Sequence, residues 1–309
     1  MLTVLESLIP IFLVISLGWV TKASGFITQE HWNGFERVTY YILIPALLIT
    51  TLAMADMKKV PIGTVGVTLV VPVVLIGTFL LVFRQALQRL TGINGPAFTS
   101  VFQGAVRWNS FVAIALASSL YGVDGLAVAA VAVAFLIPLV NICSAYTLAM
   151  YGSLKKPLTP VSLLLNLIKN PFIWSTAVGI LIGMTGIHLP KTLALFGDIT
   201  GRAALAAGLL LVGSGLELSK PKHPGAALWL STALKLVFAP VLTGLIGQKL
   251  GLSGVTLAVP IVCMGVPTAA ASYILARQNG GDAPLMASIV TAQTLVSAIT
   301  MPIMFLLFL

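Results

Sequence analysis

Residues 96–121 read PAFTSVFQGAVRWNSFVAIALASSLY, and this stretch decides how the whole chain is interpreted. It is long enough to cross about 30 Å of hydrocarbon as a helix, which takes roughly 20 residues. Yet Arg107 and Asn109 lie near its centre, where an arginine costs about 2.5–3.5 kcal/mol. The stretch therefore predicts a membrane helix that is interrupted, with unwound backbone and polar side chains available to a ligand.

The composition of the chain agrees with a membrane environment. Of 309 residues, 58% are hydrophobic and 8% are charged, whereas soluble domains carry about 25% charged residues. The net charge of +9 comes mostly from basic residues in short connections, which act as topology signals. Lipid is the expected surrounding, and nucleic acid is not an expected partner.

Several catalytic and metal-binding patterns are absent from the sequence. His31, His188 and His223 fall in predicted loops, and neither an HExxH motif nor a GxxxxGK[ST] phosphate loop occurs. The two cysteines, Cys143 and Cys263, lie in apolar segments without metal-ligand spacing. We therefore predict no enzyme activity, no metal site and no cofactor, and the sequence leaves open whether sodium or protons are coupled.

Apolar runs between polar breaks predict an all-α integral membrane protein of ten transmembrane helices. The predicted spans are Thr3 to Lys22, Phe35 to Ala55, Gly63 to Arg84, Pro96 to Tyr121, Gly125 to Tyr151, Asn170 to Ile187, Pro190 to Glu217, Gly225 to Lys249, Leu252 to Arg277 and Pro284 to Leu309.

The loops predict an orientation, because cytoplasmic connections carry an excess of Lys and Arg. The odd-numbered loops hold ten basic residues: Lys22, Arg37, Arg84, Arg89, Lys155, Lys156, Lys169, Lys220, Lys222 and Arg277. The even-numbered loops hold four: Lys58, Lys59, Lys191 and Lys249. This asymmetry predicts a multi-pass protein of the cell (inner) membrane with both termini outside.

An internal repeat relates the two halves of the sequence. At a constant offset of 161, five pairs match: Pro10 and Pro171, Gly18 and Gly179, Gly25 and Gly186, Phe35 and Phe196, Thr39 and Thr200. Five crossings per copy invert the second copy, as in many secondary transporters. We predict a first five-helix repeat over 1–151, a cytoplasmic linker over 152–169, and a second, inverted repeat over 170–309.

The candidate substrate site combines breaks in spans four and nine. Pro267 should break span nine and open a half-helix, while Asn109 and Ser110 should cap a half-helix that runs to Tyr121. Both half-helices would aim positive dipole ends at the midplane, which favours an anion. The predicted substrate-binding residues are Arg107, Asn109, Ser110, Gly265, Pro267, Thr268 and Gln103, with Lys235 as a supporting charge.

Less specific interpretations exist for the same residues. Pro267 can be a simple kink, Arg107 can snorkel to an interface, and Lys235 can be structural. Asn141 and Gln293 are second-rank candidates, because helix-to-helix hydrogen bonding is the commoner role of such side chains. Asp198 and Arg202 are four residues apart and are predicted to form a structural pair.

The motifs of this chain resemble those of the auxin efflux carrier family, which includes bacterial malonate and malate permeases and plant auxin exporters. The resemblance covers nearly the full length. It rests on Asn109-Ser110-Phe111-Val112 with Leu120-Tyr121-Gly122, on Leu234-Lys235-Leu236 with Pro240, and on Gly265-Val266-Pro267 with Tyr273-Ile274-Leu275-Ala276.

The resemblance implies a scaffold of spans one, two, six and seven, and a transport domain in which spans four and nine cross as broken helices. It implies elevator-type movement, homodimers through the scaffold, substrate contact by Asn109 and a crossing formed by Pro267. This chain departs at one point: similar plant exporters have a proline before the asparagine, whereas Trp108 stands here, preceded by Arg107. The first break must therefore form without proline.

These features predict a carrier of small organic anions that works by alternating access at the crossing, with a dicarboxylate such as malonate or malate as the leading substrate. The alternatives are an exporter of auxin-like monocarboxylates and a passive anion channel.

Overall fold

A computed structural model of the chain describes residues 2–55, 57, 60–154, 159–185, 189–217 and 225–308. Within these ranges the secondary structure is helical, without strands. Several residues of the sequence argument lie outside the described ranges: Lys58, Lys59, Lys155, Lys156, Gly186, Ile187, His188, Lys220, Lys222, His223 and Leu309.

The described ranges contain fifteen α-helices and two π-helical turns. The helices are α1 (Leu2–Ala23), α2 (Gln29–Val38), α3 (Ile44–Met54), α4 (Ile62–Val82), α5 (Arg84–Thr91), α6 (Gly95–Val106), α7 (Ser110–Tyr151), α8 (Pro160–Ile168), α9 (Pro171–Thr185), α10 (Lys191–Ser214), α11 (Ala226–Ala233), α12 (Ala239–Lys249), α13 (Gly254–Gly265), α14 (Ala271–Asn279) and α15 (Ala283–Phe308). The π-helical turns Thr39–Leu43 and Leu234–Phe238 join α2 to α3 and α11 to α12.

Six helical segments in the described ranges are long and apolar enough to cross a membrane. They are Gln29–Met54, Ile62–Val82, Gly95–Tyr151, Lys191–Ser214, Ala226–Lys249 and Ala283–Phe308. Leu8–Ala23 of α1 and the helices Pro171–Thr185 and Gly254–Gly265 are shorter apolar helical segments. Each of the ten predicted spans overlaps at least one helix of the described ranges, and the number of crossings stays a prediction.

Two predicted span boundaries are wrong, and the predicted linker is not structureless. The second span begins at Gln29 rather than near Phe35, because a polar first part continues the helix beyond the apolar run. The third ends at Val82, and Arg84 begins a separate helix, α5. The predicted linker 152–169 contains a helix of its own, α8.

The 42-residue helix α7 consists of two helices that are joined by a kink at Gly122. Gly122 has φ 56° and ψ −135°, which only glycine adopts readily. A Cβ on Gly125 would lie 2.1 Å from the carbonyl oxygen of Ala117, so the chain turns back tightly at this point. The turn separates the predicted spans four and five.

Glycines allow the helices α1, α3, α9 and α10 to pack closely. Gly179 of α9 lies against Leu48 of α3, and Gly18 of α1 lies against Leu210 of α10. Gly18 and Gly179 are related by the offset of the predicted repeat, and each faces a helix of the other half. The inverted repeat and its domain boundaries stay a prediction.

Candidate functional site at the meeting point of two interrupted helices

The first interruption lies where the arginine-containing sequence predicts it. Helix α6 ends at Val106, and Arg107 continues in an extended conformation with φ −76° and ψ 156°. Asn109 caps α7, because its Oδ1 atom accepts a hydrogen bond from the amide of Val112 over 3.3 Å. The break forms without proline because Asn is among the best N-cap residues.

The second interruption is longer and begins in the same way. Helix α13 ends at Gly265, and Val266 is extended with φ −68° and ψ 153°. Pro267 does not open a half-helix as predicted, since α14 begins only at Ala271. The amide of Thr268, in the segment between α13 and α14, donates to Oε1 of Gln293 over 2.9 Å.

The two interruptions touch each other. The amide of Asn109 donates to the carbonyl oxygen of Pro267 over 2.9 Å. The hydroxyl of Thr268 donates to the carbonyl oxygen of Gln103 over 3.5 Å. The fold thus brings Gln103 and Asn109 together with Pro267 and Thr268. These two pairs of predicted site residues are more than half of the chain apart in sequence.

A cavity of about 560 Å³ lies beside this meeting point. Four of the predicted residues line it, Arg107, Asn109, Ser110 and Asn141. The other candidates, all in the described part of the chain, are not among its lining residues: Gln103, Lys235, Gly265, Pro267, Thr268 and Gln293. The first interruption therefore faces the cavity, and the second faces it through Ala269 and Ala270 while Pro267 and Thr268 lie behind.

The cavity also reaches the ends of several helices. Lys22 near the end of α1, Gln29 at the start of α2, Glu217 just after α10 and Arg277 near the end of α14 line it. These positions belong to or flank loops one, seven and nine, which the charge distribution predicts to be cytoplasmic. The cavity leads from the meeting point toward that face.

Neighbouring side chains fix Arg107 in the cavity. Its Nη1 atom donates to Oδ1 of Asn141 over 2.9 Å and to Oγ of Ser144 over 3.4 Å. Its Nε is buried and has no partner in the described residues. These bonds to a neighbouring helix do not fit a snorkelling side chain.

The charges that line the cavity are mixed. Lys22, Arg107 and Arg277 are basic, and Glu36 and Glu217 are acidic. Arg107 is the charged lining residue that lies in an interruption. The positive N-terminus of α7 is adjacent to it, so the positive potential is concentrated at the inner end of the cavity.

Six aromatic side chains also line the cavity: Trp32, Tyr40, Trp108, Phe111, Phe172 and Tyr273. Phe172 connects two of them, because its ring centroid lies 5.5 Å from that of Tyr40 and 5.8 Å from that of Phe111. The sequence argument missed this aromatic wall, since its members come from several separate helices. It also missed Ser144, although its spacing of three residues from Asn141 places both on one helix face.

The remaining candidates have other surroundings. Lys235 lies in the second π-helical turn, is fully buried, and its Nζ has no hydrogen-bond partner among the described residues. Asp198 and Arg202 form an ion pair on α10, with 3.1 Å between Oδ2 and Nη2. Within the described ranges no three His, Cys, Asp or Glu side chains are grouped as metal ligands.

Comparisons with known proteins define the class. Residues 154–305 match the model of the family described as membrane transport protein. An uncharacterised transporter of Methanothermobacter thermautotrophicus is 22% identical over 307 residues, which cover 96% of each chain. The uncharacterised transporter YfdV of Escherichia coli K12 is 24% identical over 283 residues, 88% of this chain and 87% of that protein.

The chain is thus a multi-pass membrane protein of the transporter class, which is consistent with the expectation that it is not an enzyme. More particularly, the resemblance to the auxin efflux carrier family is confirmed by the family match and by these two relatives.

Proposed function

We propose that this protein is a secondary carrier of small organic anions, with dicarboxylates such as malonate or malate as the leading substrates. The observation that carries the proposal is Arg107, which stands in a helix interruption at the inner end of the cavity. A guanidinium beside a capped helix N-terminus is suited to a carboxylate group.

The hydrogen bonds around Arg107 leave capacity for a ligand. A guanidinium has five N–H donors, and the bonds to Asn141 and Ser144 come from Nη1 alone. Oδ1 of Asn109 serves the amide of Val112, while the amides of Ser110 and Phe111 belong to the first turn of α7, where amides lack intrahelical acceptors. Ser110, Phe111 and Arg107 all line the cavity, so one carboxylate can contact both kinds of donor.

A two-part experiment tests the substrate class. A thermal-shift screen of the purified protein against mono- and dicarboxylates, with and without sodium, should show stabilisation by malonate or malate, because a ligand of the folded state raises its apparent stability. Counterflow of labelled malonate in proteoliposomes should saturate with concentration. Flux that rises linearly without saturation would instead indicate the passive channel.

A second candidate is the transport of auxin-like monocarboxylates with an aromatic body. The six aromatic side chains of the cavity favour it, since aromatic rings pack against one another at centroid distances of about 4.5–7 Å. Competition between indole-3-acetate and malonate in the counterflow assay distinguishes the two. If Phe172→Ala weakens inhibition by indole-3-acetate but not by unlabelled malonate, the aromatic wall selects the substrate body.

The proposed mechanism is alternating access at the crossing of spans four and nine, in an inverted repeat of five plus five spans with elevator-type movement. The direct hydrogen bond between Asn109 and Pro267 supports it, and so does the packing of α3 on α9, of α1 on α10 and of α10 on α3. The proposed location is the cell inner membrane with both termini outside. A Ser24→Cys variant in a cysteine-free background should then react with a membrane-impermeant maleimide only from the cytoplasmic side.

The proposed assembly is a homodimer, and the proposed cargo is moved without a cofactor. Light scattering of the detergent-solubilised protein measures the assembly. The coupling ion, sodium or proton, is tested by imposing each gradient separately at a clamped membrane potential. An inside-negative potential opposes anion uptake by about 2.3 kcal/mol per charge per 100 mV, so uptake against it requires one of these ions or exchange.

A further inference from the structure

Gln293 occupies a particular place behind the cavity. It is fully buried in the middle of α15. Its side chain has one acceptor and two donors that are directed at other elements rather than at the cavity. Oε1 accepts from the amide of Thr268 over 2.9 Å, and Nε2 donates to the carbonyl oxygen of Gly104 over 2.9 Å.

The two backbone groups that Gln293 binds lack partners in regular structure. The carbonyl of Gly104 lies in the last turn of α6, where helix carbonyls have no intrahelical donor. The amide of Thr268 lies in the segment between α13 and α14, outside both helices. One side chain thus satisfies one buried group from each interruption, and each such group left unpaired would carry a large penalty.

A third contact extends this arrangement to α11. Nε2 of Gln293 also donates to the carbonyl oxygen of Ser231 over 3.4 Å. A single amide therefore joins α6, α11, α15 and the second interruption.

Only a side chain with both a donor and an acceptor can make these bonds. Leucine has neither, and an ionised glutamate is an acceptor only. A protonated glutamate has one O–H donor and a carbonyl acceptor, so it reproduces the two short bonds.

We infer that Gln293 is a positioning residue that clamps the two interruptions together and thereby fixes Arg107 and Asn109 relative to the second interruption. It is not a substrate ligand. This inference replaces the interpretation of Gln293 as a second-rank candidate for substrate binding. The transport experiment that tests it rests on the proposed function.

The transport arm measures malonate counterflow in proteoliposomes for Gln293→Leu, Gln293→Glu and Thr294→Val. Thr294 is the matched control, because it is buried beside Gln293 and its hydroxyl donates within its own helix, to Val290 over 2.8 Å. Gln293→Leu should raise KM by about tenfold or more, since two buried backbone groups lose their partners. Gln293→Glu should approach the parent as the pH is lowered, and Thr294→Val should keep the KM of the parent.

The structural arm needs no substrate. Hydrogen exchange followed by mass spectrometry should show faster exchange of residues 266–270 in Gln293→Leu than in the parent or in Thr294→Val, because the amide of Thr268 loses its acceptor. If Gln293→Leu exchanges faster and the parent does not transport malonate, the proposed substrate is contradicted and the clamp is supported. Unchanged exchange in Gln293→Leu, or a loss of transport in Gln293→Glu that acid does not restore, would overturn the clamp.

Discussion

Three residues separate α6 from α7 in the first interrupted helix, whereas five residues, 266–270, separate α13 from α14 in the second. The helices that precede the two interruptions are alike. Helices α6 and α13 both have 12 residues, and each is followed by an extended residue. Alignment of these ends pairs Arg107 with Val266, Trp108 with Pro267 and Asn109 with Thr268.

The aligned residues make different contacts. The amide of Asn109 donates directly to Pro267, whereas the amide of Thr268 donates to Gln293. Arg107 faces the cavity, and Val266 is fully buried. The two interruptions thus begin with a similar backbone but have different roles. The first presents a charge to the cavity, and the second supplies the surface against which the first is held.

The largest expected effect comes from removing the charge of the first interruption. Arg107→Ala should lower the apparent affinity for malonate by about 10- to 100-fold, because hydrogen bonds to charged groups contribute about 1.5–3 kcal/mol. Labelled malonate uptake into proteoliposomes measures it. Arg89→Ala, which removes an exposed arginine of α5, is the control, and Arg107→Ala with the KM of the parent would contradict the site.

Two substitutions of Asn109 distinguish its role as a helix cap from its proposed role in ligand binding. Asn109→Asp keeps an N-cap acceptor but places a negative charge beside the proposed anion, so transport should fall about tenfold while the melting temperature stays near that of the parent. Asn109→Ala should instead cost about 1 kcal/mol of stability. Thermal unfolding and counterflow of both variants check this, and equal transport by Asn109→Asp and the parent would exclude Asn109 from the anion site.

The close packing around the interruptions predicts that replacement by alanine destabilises the protein more at one glycine than at another. A Cβ at Gly104 would lie 2.7 Å from Cγ2 of Ile289, whereas at Gly265 the nearest atom is Sδ of Met301 at 3.3 Å. Gly104→Ala should cost about 1–3 kcal/mol as overpacking. Gly265→Ala should be nearly neutral, because a methionine side chain adapts easily. Apparent melting temperatures of the two variants provide the comparison, and equal values would contradict it.

The smallest effect is expected away from both interruptions. Asp198 and Arg202 pair within α10 and do not line the cavity. The double variant Asp198→Ala, Arg202→Ala should keep malonate transport within about twofold of the parent, as expected for an exposed pair. A large loss of transport with normal assembly would mean that this pair takes part in the transport cycle.

The sequence alone predicted the positions of the interruptions, because Arg107, Asn109 and Pro267 are costly inside an apolar helix. It also predicted that Asn109 would cap α7, since capping is a local property. The start of α14 was missed by four residues, because the path of 266–270 depends on Gln293, which lies far away in sequence.

The cavity could not be predicted for the same reason. Its wall combines Trp32, Phe172 and Tyr273 from separate helices, and no local pattern relates them. Two π-helical turns and the surface helices α5 and α8 were likewise missed, because they depend on packing and on the water boundary rather than on the apolar pattern. The partnership of Arg107 with Ser144 required the tertiary structure.

The hydrogen bond from Asn109 to Pro267 joins two main-chain atoms, so its existence does not depend on which side chains stand at those positions. Substitution at 107, 108 or 109 can alter the ligand-facing groups and leave this link in place, with proline at 109 as the exception because it has no amide hydrogen. Relatives with different cargoes can therefore diverge at these three positions while keeping the same junction. The same property makes the three positions suitable for a saturation library aimed at new transported anions.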